Sequence, residues 1–259
     1  MTNNKIQLEV CWLSAGVSSF IAGYLVRNTV DEFIYIDIAD QHPDSMRFIK
    51  DCEKALCKEV KILKSSEYNS VEDCVLAFGG FINRKTFFTP CTNWLKKRVR
   101  KQWEYEHKDY DITYVWGMDA NEKNRAERLI DGMPEFAHEF PLIDNGLTKD
   151  EAHGICNQLG VKRPEMYDLG YNNNNCIGCV KGGIGYWNKI RLDFPEVFES
   201  RAKLERKVNN TILKETNGTP IYLDELDPNR GRMSKEIMGD CDIFCSMVFN
   251  DLGEQNEQR

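Results

Sequence analysis

The sequence predicts an α/β fold: a doubly wound, mainly parallel Rossmann-like sheet followed by an irregular, cysteine-containing C-terminal cap. Three observations lead there. Short apolar runs alternate with stretches of helical periodicity, which implies crossover connections and parallel strands. Turns rich in Gly, Ser and Asp follow several of those runs. Beyond about residue 145 the texture changes to segments rich in Asn, Gly and Cys.

The elements follow in order. Ile-Gln-Leu-Glu-Val-Cys-Trp-Leu at residues 6–13 reads as a buried strand, and a helical pattern runs through Phe20, Ile21, Tyr24 and Leu25. Residues 33–38 form a second strand, with His42-Pro43-Asp44 in its loop. A helix through Met46, Phe48, Ile49, Cys52 and Leu56 comes next. Residues 60–63 and 112–116 supply two further strands, the latter ending at Gly117. Glu122, Arg125 and Arg128 sit on a predicted helix beyond it, where intrahelical ion pairing explains them as well as ligand binding does.

Residues 148–159 read as a helix opened by a Thr148/Glu151 capping box. Residues 171–185 read as irregular, and residues 193–208 as a helix with Pro195 in its first turn. Residues 1–145 are thus expected to form a nucleotide-binding α/β domain. Residues 146–259 are expected to form a cap packed on the sheet, carrying a CxxC and a Cys-x3-Cys motif.

Composition narrows the function. With 41% hydrophobic residues the chain can bury a sizeable core, and 34 basic against 41 acidic residues give a net charge of −7. That balance argues against a dedicated nucleic-acid coat, which needs a basic surface. A local basic cleft remains compatible with it. The apolar stretch at residues 11–26 is interrupted by serines and is too short to span a bilayer. No membrane association and a reducing cytoplasmic setting are expected. There, ten cysteines point to metal or redox chemistry rather than cross-links. The glycosylation-type patterns at Asn209 and Asn217 are then chance matches.

Ser14-Ala15-Gly16-Val17-Ser18-Ser19 lies between the first strand and the first helix. Small residues there let backbone amides approach an anion, and the helix dipole favours negative charge at that end. A tight packing turn would use the same residues. Cys176-Ile177-Gly178-Cys179 has a spacing that brings two thiolates to one centre. Cys91 and the pair Cys241 and Cys245 bring the candidates to five for about four positions. Iron–sulfur, structural zinc and no metal all remain open at this level. Cys11, Cys52, Cys57, Cys74 and Cys156 read as core residues. Leu95-Lys96-Lys97-Arg98-Val99-Arg100-Lys101 is the strongest basic run. It suits a solvated helix face, a phosphorylated ligand, or a nucleic-acid backbone met through residues 96–101. Arg230 and Arg232 suit a bidentate phosphate clamp, a cation beside the tail cysteines, or a solvated turn.

The loop at residues 14–19 resembles the pyrophosphate loop of the adenine-nucleotide α-hydrolase (PP-loop) superfamily, usually Ser-Gly-Gly-x-Asp-Ser. The nearest resemblance is to its 3′-phosphoadenylylsulfate (PAPS) reductase-like group, phage-type members included. Four further segments match in order: residues 37–45 from Asp37, Cys91 through Lys96, Gly117 through Arg125, and Cys176 with Cys179. The resemblance implies an oxidoreductase of the phosphoadenylylsulfate reductase type, acting on an adenylylated or sulfonucleotide substrate. Ser14, Ala15, Gly16, Val17, Ser18, Ser19, Asp37, Lys96, Gly117 and Arg125 would then contact the nucleotide.

The resemblance also implies a [4Fe–4S] cluster, with zinc as the alternative, on Cys91, Cys176 and Cys179, with Cys241 or Cys245 as fourth ligand. The tail carrying Cys241 and Cys245 is similar to the segment that bears the family's catalytic thiol. A thioredoxin-like reductant would be the partner, and a homo-oligomer is compatible. A phage-encoded member would work in the host cytoplasm. Ser18 stands where ATP-cleaving members carry a magnesium-binding Asp, and Asp119 replaces the Arg of Gly-x-Arg. Alternatives are an ATP-dependent sulfurtransferase or nucleotidyl enzyme, and a non-catalytic nucleotide- or metal-binding regulatory module.

Overall fold

The computed structural model describes residues 5–83, 88–215 and 217–232. These form two compact units, each assembled from separated stretches of chain.

The first unit takes in the described part of Met1–Asp37, together with His42–Lys64 and Val99–Asn174. Its centre is a five-stranded, wholly parallel sheet: β1 (Ile6–Leu13), β2 (Glu32–Ile36), β3 (Val60–Leu63), β4 (Tyr110–Val115) and β5 (Ala137–Glu139), in the spatial order β3-β2-β1-β4-β5. The crossovers run through α1 (Val17–Leu25) and α2 (Asp44–Leu56) on one side of β1 in sequence order. The predicted Rossmann-like class is thus the observed one. Strand order reverses between β1 and β4, which makes the carboxyl ends of those two strands the switch point where such sheets place ligands.

Sequence and packing agree in detail. β1 alternates little because both faces are covered: Val10, Cys11, Trp12 and Leu13 are all buried. α1 lies hard against the sheet. A Cβ on Gly23 would sit 2.7 Å from the Phe33 ring and 2.9 Å from the Cys11 sulfur, so only glycine allows that approach. Phe20 and Phe48 meet edge to face at 5.8 Å in the same core.

The second unit takes in Ile38–Gln41, Ser65–Arg98 and the described part of Asn175–Arg259. α3 (Val71–Phe78) starts with a Ser70/Asp73 capping box and ends on Gly79 at φ +69°. α4 (Pro90–Thr92) runs into a π-helical stretch, Asn93–Lys97; α5 (Arg98–Glu106), next in sequence, belongs from Val99 onward to the first unit. α10 (Ile184–Asp193) and α11 (Pro195–Val208) pack together through Trp187 and Phe198, with Phe194 ending one helix and opening the next. A short hairpin of β6 (Leu213–Lys214) and β7 (Pro220–Ile221) completes this unit. Between them in sequence lie the first unit's α6 (Lys123–Gly132), α7 (Pro141–Asp144), α8 (Lys149–Gln158) and α9 (Glu165–Asp168).

Several sequence readings need correcting. β5 was not anticipated, because Ala-His-Glu carries no strand pattern. α10 occupies Ile184–Asp193, inside a stretch whose start read as an irregular Gly-rich turn. The second strand ends at Ile36 rather than residue 38. The first unit runs on past residue 145 to Asn174. Arg100 does not belong to a solvated basic face: it is buried, paired with Glu104 Oε1 at 2.6 Å. No helix among the described residues is long and apolar enough to cross a membrane.

Candidate nucleotide-phosphate site and cysteine loop

The residue 14–19 turn follows β1 directly and delivers the chain into α1. Gly16 is the N-cap, in extended conformation and without a side-chain cap. Helix geometry leaves the N–H groups of Val17, Ser18 and Ser19 without intrahelical acceptors. The serines shape the turn rather than fill it. Ser14 N–H donates to Ser19 Oγ at 3.0 Å, and Ser19 Oγ donates to the Gly16 carbonyl at 2.9 Å. Ser19 is buried, while Ser14 is exposed and Ser18 half-buried.

Ala15 sits at φ +57°, a left-handed conformation that costs a non-glycine residue on the order of 1–2 kcal/mol. Asn174 stabilises it: its Nδ2 donates to the Ala15 carbonyl at 2.8 Å and to Ser45 Oγ at 3.0 Å, so this one amide ties the turn to the start of α2. Asn174 Oδ1 is buried with no hydrogen-bond partner among the described residues. Tyr167 reaches the same turn. Its hydroxyl accepts from Val17 N–H at 3.4 Å, and would lie 3.3 Å from a Cβ on Gly16. A hydroxyl oxygen thus stands at the helix N-terminus, where a phosphate oxygen would be favoured. The Tyr167 ring is met edge-on by His153 at 4.6 Å. Burial first, then the nearby Arg163 and Lys149 charges, hold the His153 pKa below its ordinary value.

Gly117 closes the other side. A Cβ there would lie 2.5 Å from the Ser19 backbone N and Cα, so the carboxyl end of β4 and the first turn of α1 touch backbone to backbone. Residues 14–19 and Gly117, chosen from sequence as ligand contacts, are therefore together. Asp37 lies just past β2 with its carboxylate 2.7 Å from Lys64 Nζ. Arg125 pairs with Glu122 within its own helix start. Asp119 accepts Asn121 N–H at 2.8 Å and is buried, so this carboxylate folds its own loop. Tyr167 and Asn174 escaped sequence reasoning. They lie some 150 residues from the turn, and the only signal was Asn174's place in a run of four asparagines.

The remaining predicted residues belong to the second unit. Cys176 and Cys179 are both buried. The Tyr186 hydroxyl accepts from Cys179 N–H at 3.0 Å and donates to the Cys176 carbonyl at 3.1 Å. Gly178, at φ +69°, turns the loop against Trp187 and Val197. Ile177 N–H donates to the Asp40 carbonyl at 2.8 Å. Asp40 accepts Val71 N–H at 2.7 Å and pairs with the buried Arg201.

Cys91 opens α4 near Cys74, whose thiol is pushed up to about 12 by burial, then by Cys91, Asp73 and Asp40. Lys96 lies in the π-helical stretch, a departure from α-helix often found at functional sites. The Arg230 guanidinium is engaged bidentately by Glu215 at 2.7 Å for both bonds. Arg232 contributes backbone: a Cβ on Gly185 would lie 2.4 Å from its carbonyl carbon.

Among the described residues no group of three or more His, Cys, Asp or Glu is placed to hold a metal ion. Cys91, Cys176 and Cys179 share one unit, but they do not by themselves make a cluster site. Cys241 and Cys245 lie outside the described residues.

No family model and no curated protein matches the chain. Among solved structures, the chain is similar to phosphoadenylyl-sulfate (PAPS) reductase from Candida auris in a phosphate complex. The TM-score is 0.46 and the identity 13%, over 65% of this chain and 80% of that one.

Proposed function

We propose that the turn at residues 14–19 binds the phosphate of an adenine nucleotide, and that the chain is a PAPS reductase-like enzyme acting on a sulfonucleotide. The observation that carries the phosphate reading is the N-terminus of α1 at the sheet's switch point. There the Val17 amide is 3.4 Å from a tyrosine hydroxyl, and Gly117 brings β4 into backbone contact. An anion there gains about 0.3–1 kcal/mol from the helix dipole, besides its hydrogen bonds. Ser18 adds a hydroxyl donor, while the Ser14 hydroxyl is engaged with Ser19 Oγ at 3.1 Å. Asn174 Oδ1, as an acceptor without a partner, suits a ribose hydroxyl or an exocyclic amine. Ser18 in place of Asp removes a magnesium carboxylate, which favours a nucleotide that is bound without pyrophosphate cleavage.

The chemical step rests on the sequence resemblance. The thiolate of Cys241 or Cys245 attacks the sulfur of the sulfonucleotide, the S–O bond breaks, and adenosine 3′,5′-bisphosphate leaves with the electron pair. The resulting S-sulfocysteine is reduced by a thioredoxin-like dithiol, which releases sulfite and becomes a disulfide. An iron–sulfur cluster is proposed from the sequence resemblance alone, with Cys91, Cys176 and Cys179 as the cysteines that would hold it together with a tail cysteine.

The test has two arms. Calorimetry with adenosine 3′,5′-bisphosphate is expected to show binding that Ser18→Glu weakens by about tenfold or more through charge repulsion. Sulfite release is expected to disappear in Cys241→Ser or Cys245→Ser. Absence of binding refutes the phosphate site, whereas release unaffected by either serine variant refutes the reductase step alone.

A further inference from the structure

The second unit contains a cavity of about 620 Å³ that none of the chemistry above uses, lined by Phe78, Ile82, Asn83, Phe88, Pro90 and Asn210. That size lies within the range of small-molecule sites. Its walls are aromatic. Phe78, at the end of α3, is 44% exposed, large for a phenylalanine, and its ring stands 5.9 Å from Phe88 and 5.5 Å from Trp94. Arg98 lies over Trp94 in this ladder, 3.5 Å from the ring centroid, with its Nη1 3.3 Å from Glu67 Oε1. The ladder is thus flanked by an ion pair within the same unit, and the cavity wall itself is aromatic and uncharged.

The floor is polar in one specific way. Asn210 Oδ1 accepts Phe81 N–H at 3.0 Å, which commits its oxygen and leaves its NH₂ as donor. That nitrogen lies 3.3 Å from where a Gly80 Cβ would be. The missing side chain at Gly80 is what lets the amide face the cavity floor. Among the described residues, Gly79, left-handed, has no atom within 4 Å of where its Cβ would lie. The rim is fixed by Asn83 N–H donating to the Phe88 carbonyl at 2.8 Å.

The geometry points to a nucleobase as the occupant: a planar heterocycle stacked on Phe78, its edge acceptor taking the Asn210 amide. An aliphatic ligand would use neither the amide donor nor the π-face. Stacking a base on an aromatic side chain changes affinity by about 5- to 100-fold on removal of the ring. The site is independent of the turn at residues 14–19, and the base could belong to a free nucleotide or to a single strand.

The experiment is equilibrium binding to the full chain, using adenosine, adenosine 3′,5′-bisphosphate and a short single-stranded oligoadenylate. Phe78→Leu keeps apolar bulk and removes the π-face; Phe78→Ala removes both. Binding of adenosine, or of the oligonucleotide, that both variants weaken about tenfold and Ser18→Glu leaves unchanged is the expected result. Tighter, salt-sensitive oligonucleotide binding identifies a strand as the source, whereas equal affinity per base identifies a free nucleotide. No binding of either probe, or binding indifferent to both Phe78 variants, or binding only of an aliphatic ligand, overturns the inference. Bisphosphate binding that only Ser18→Glu disturbs would uphold the phosphate turn while refuting this cavity.

Discussion

The turn at residues 14–19 and the loop around Cys176 and Cys179 are both irregular segments held by a tyrosine hydroxyl, yet they are built to opposite ends. The turn leaves donors free of the helix: the Ser18 and Ser19 amides have no acceptor in the helix, and the Val17 amide makes a long 3.4 Å contact to Tyr167. The cysteine loop spends its donors inward. Tyr186 accepts from Cys179 N–H and donates to the Cys176 carbonyl, and Ile177 N–H goes to Asp40. A segment with unspent backbone donors at a helix N-terminus is suited to an anion. The cysteine loop, with these backbone groups engaged within its own unit, presents two buried thiols.

The comparison breaks most visibly under substitution. Gly117→Val is expected to have the largest effect, because its Cβ would fall 2.5 Å from the Ser19 backbone, which cannot step aside. A loss of about 3 kcal/mol or more in urea denaturation is expected, together with loss of nucleotide binding. Tyr186→Phe strips both hydrogen bonds from the cysteine loop and is expected to cost about 1–3 kcal/mol without changing bisphosphate affinity. Equal sensitivity of nucleotide binding to both changes would erase the distinction between the two segments.

A smaller effect comes from Glu205, buried in the second unit, whose carboxylate accepts Ile212 N–H at 2.7 Å and Leu223 N–H at 2.6 Å. Burial pushes its pKa up from 4.5 to about 7, against the pull of those two amides. The folded chain therefore keeps a proton that the unfolded chain gives up. Its stabilising contribution is complete below about pH 4.5 and fades as pH rises through 7. Denaturation midpoints measured across that window should show this slope, and Glu205→Gln should flatten it. Smallest is a labelling difference. Cys57 is exposed, whereas Cys11 and Cys52 are buried with thiol pKa values raised chiefly by burial. Thiol reagents on the native chain should modify Cys57 well before Cys11 or Cys52.

Most of the first unit was legible because its signals are local. β1 and β3 coincide with their apolar runs, and the Thr148/Glu151 capping box forms as read. β5 was not legible, since three residues of mixed polarity join the sheet only by pairing with β4. α10 was misread because Gly183 and Gly185 look like turn residues. Gly183 is in fact the N-cap, and Gly185 clears a path for the backbone of Arg232. The turn at residues 14–19 announced itself by its small residues, but Tyr167 and Asn174 reach it only through the fold. Arg230 shows the converse: a promising guanidinium in sequence, it is already engaged by Glu215.

The central claim is that the first turn of α1 holds a nucleotide phosphate. Titration calorimetry of the wild-type chain and Tyr167→Phe with adenosine 3′,5′-bisphosphate addresses it most directly. The prediction is one-to-one binding at the turn, with an affinity that shifts when the hydroxyl now resting on the Val17 amide is removed. An unchanged affinity, or no heat of binding in either protein, would contradict it.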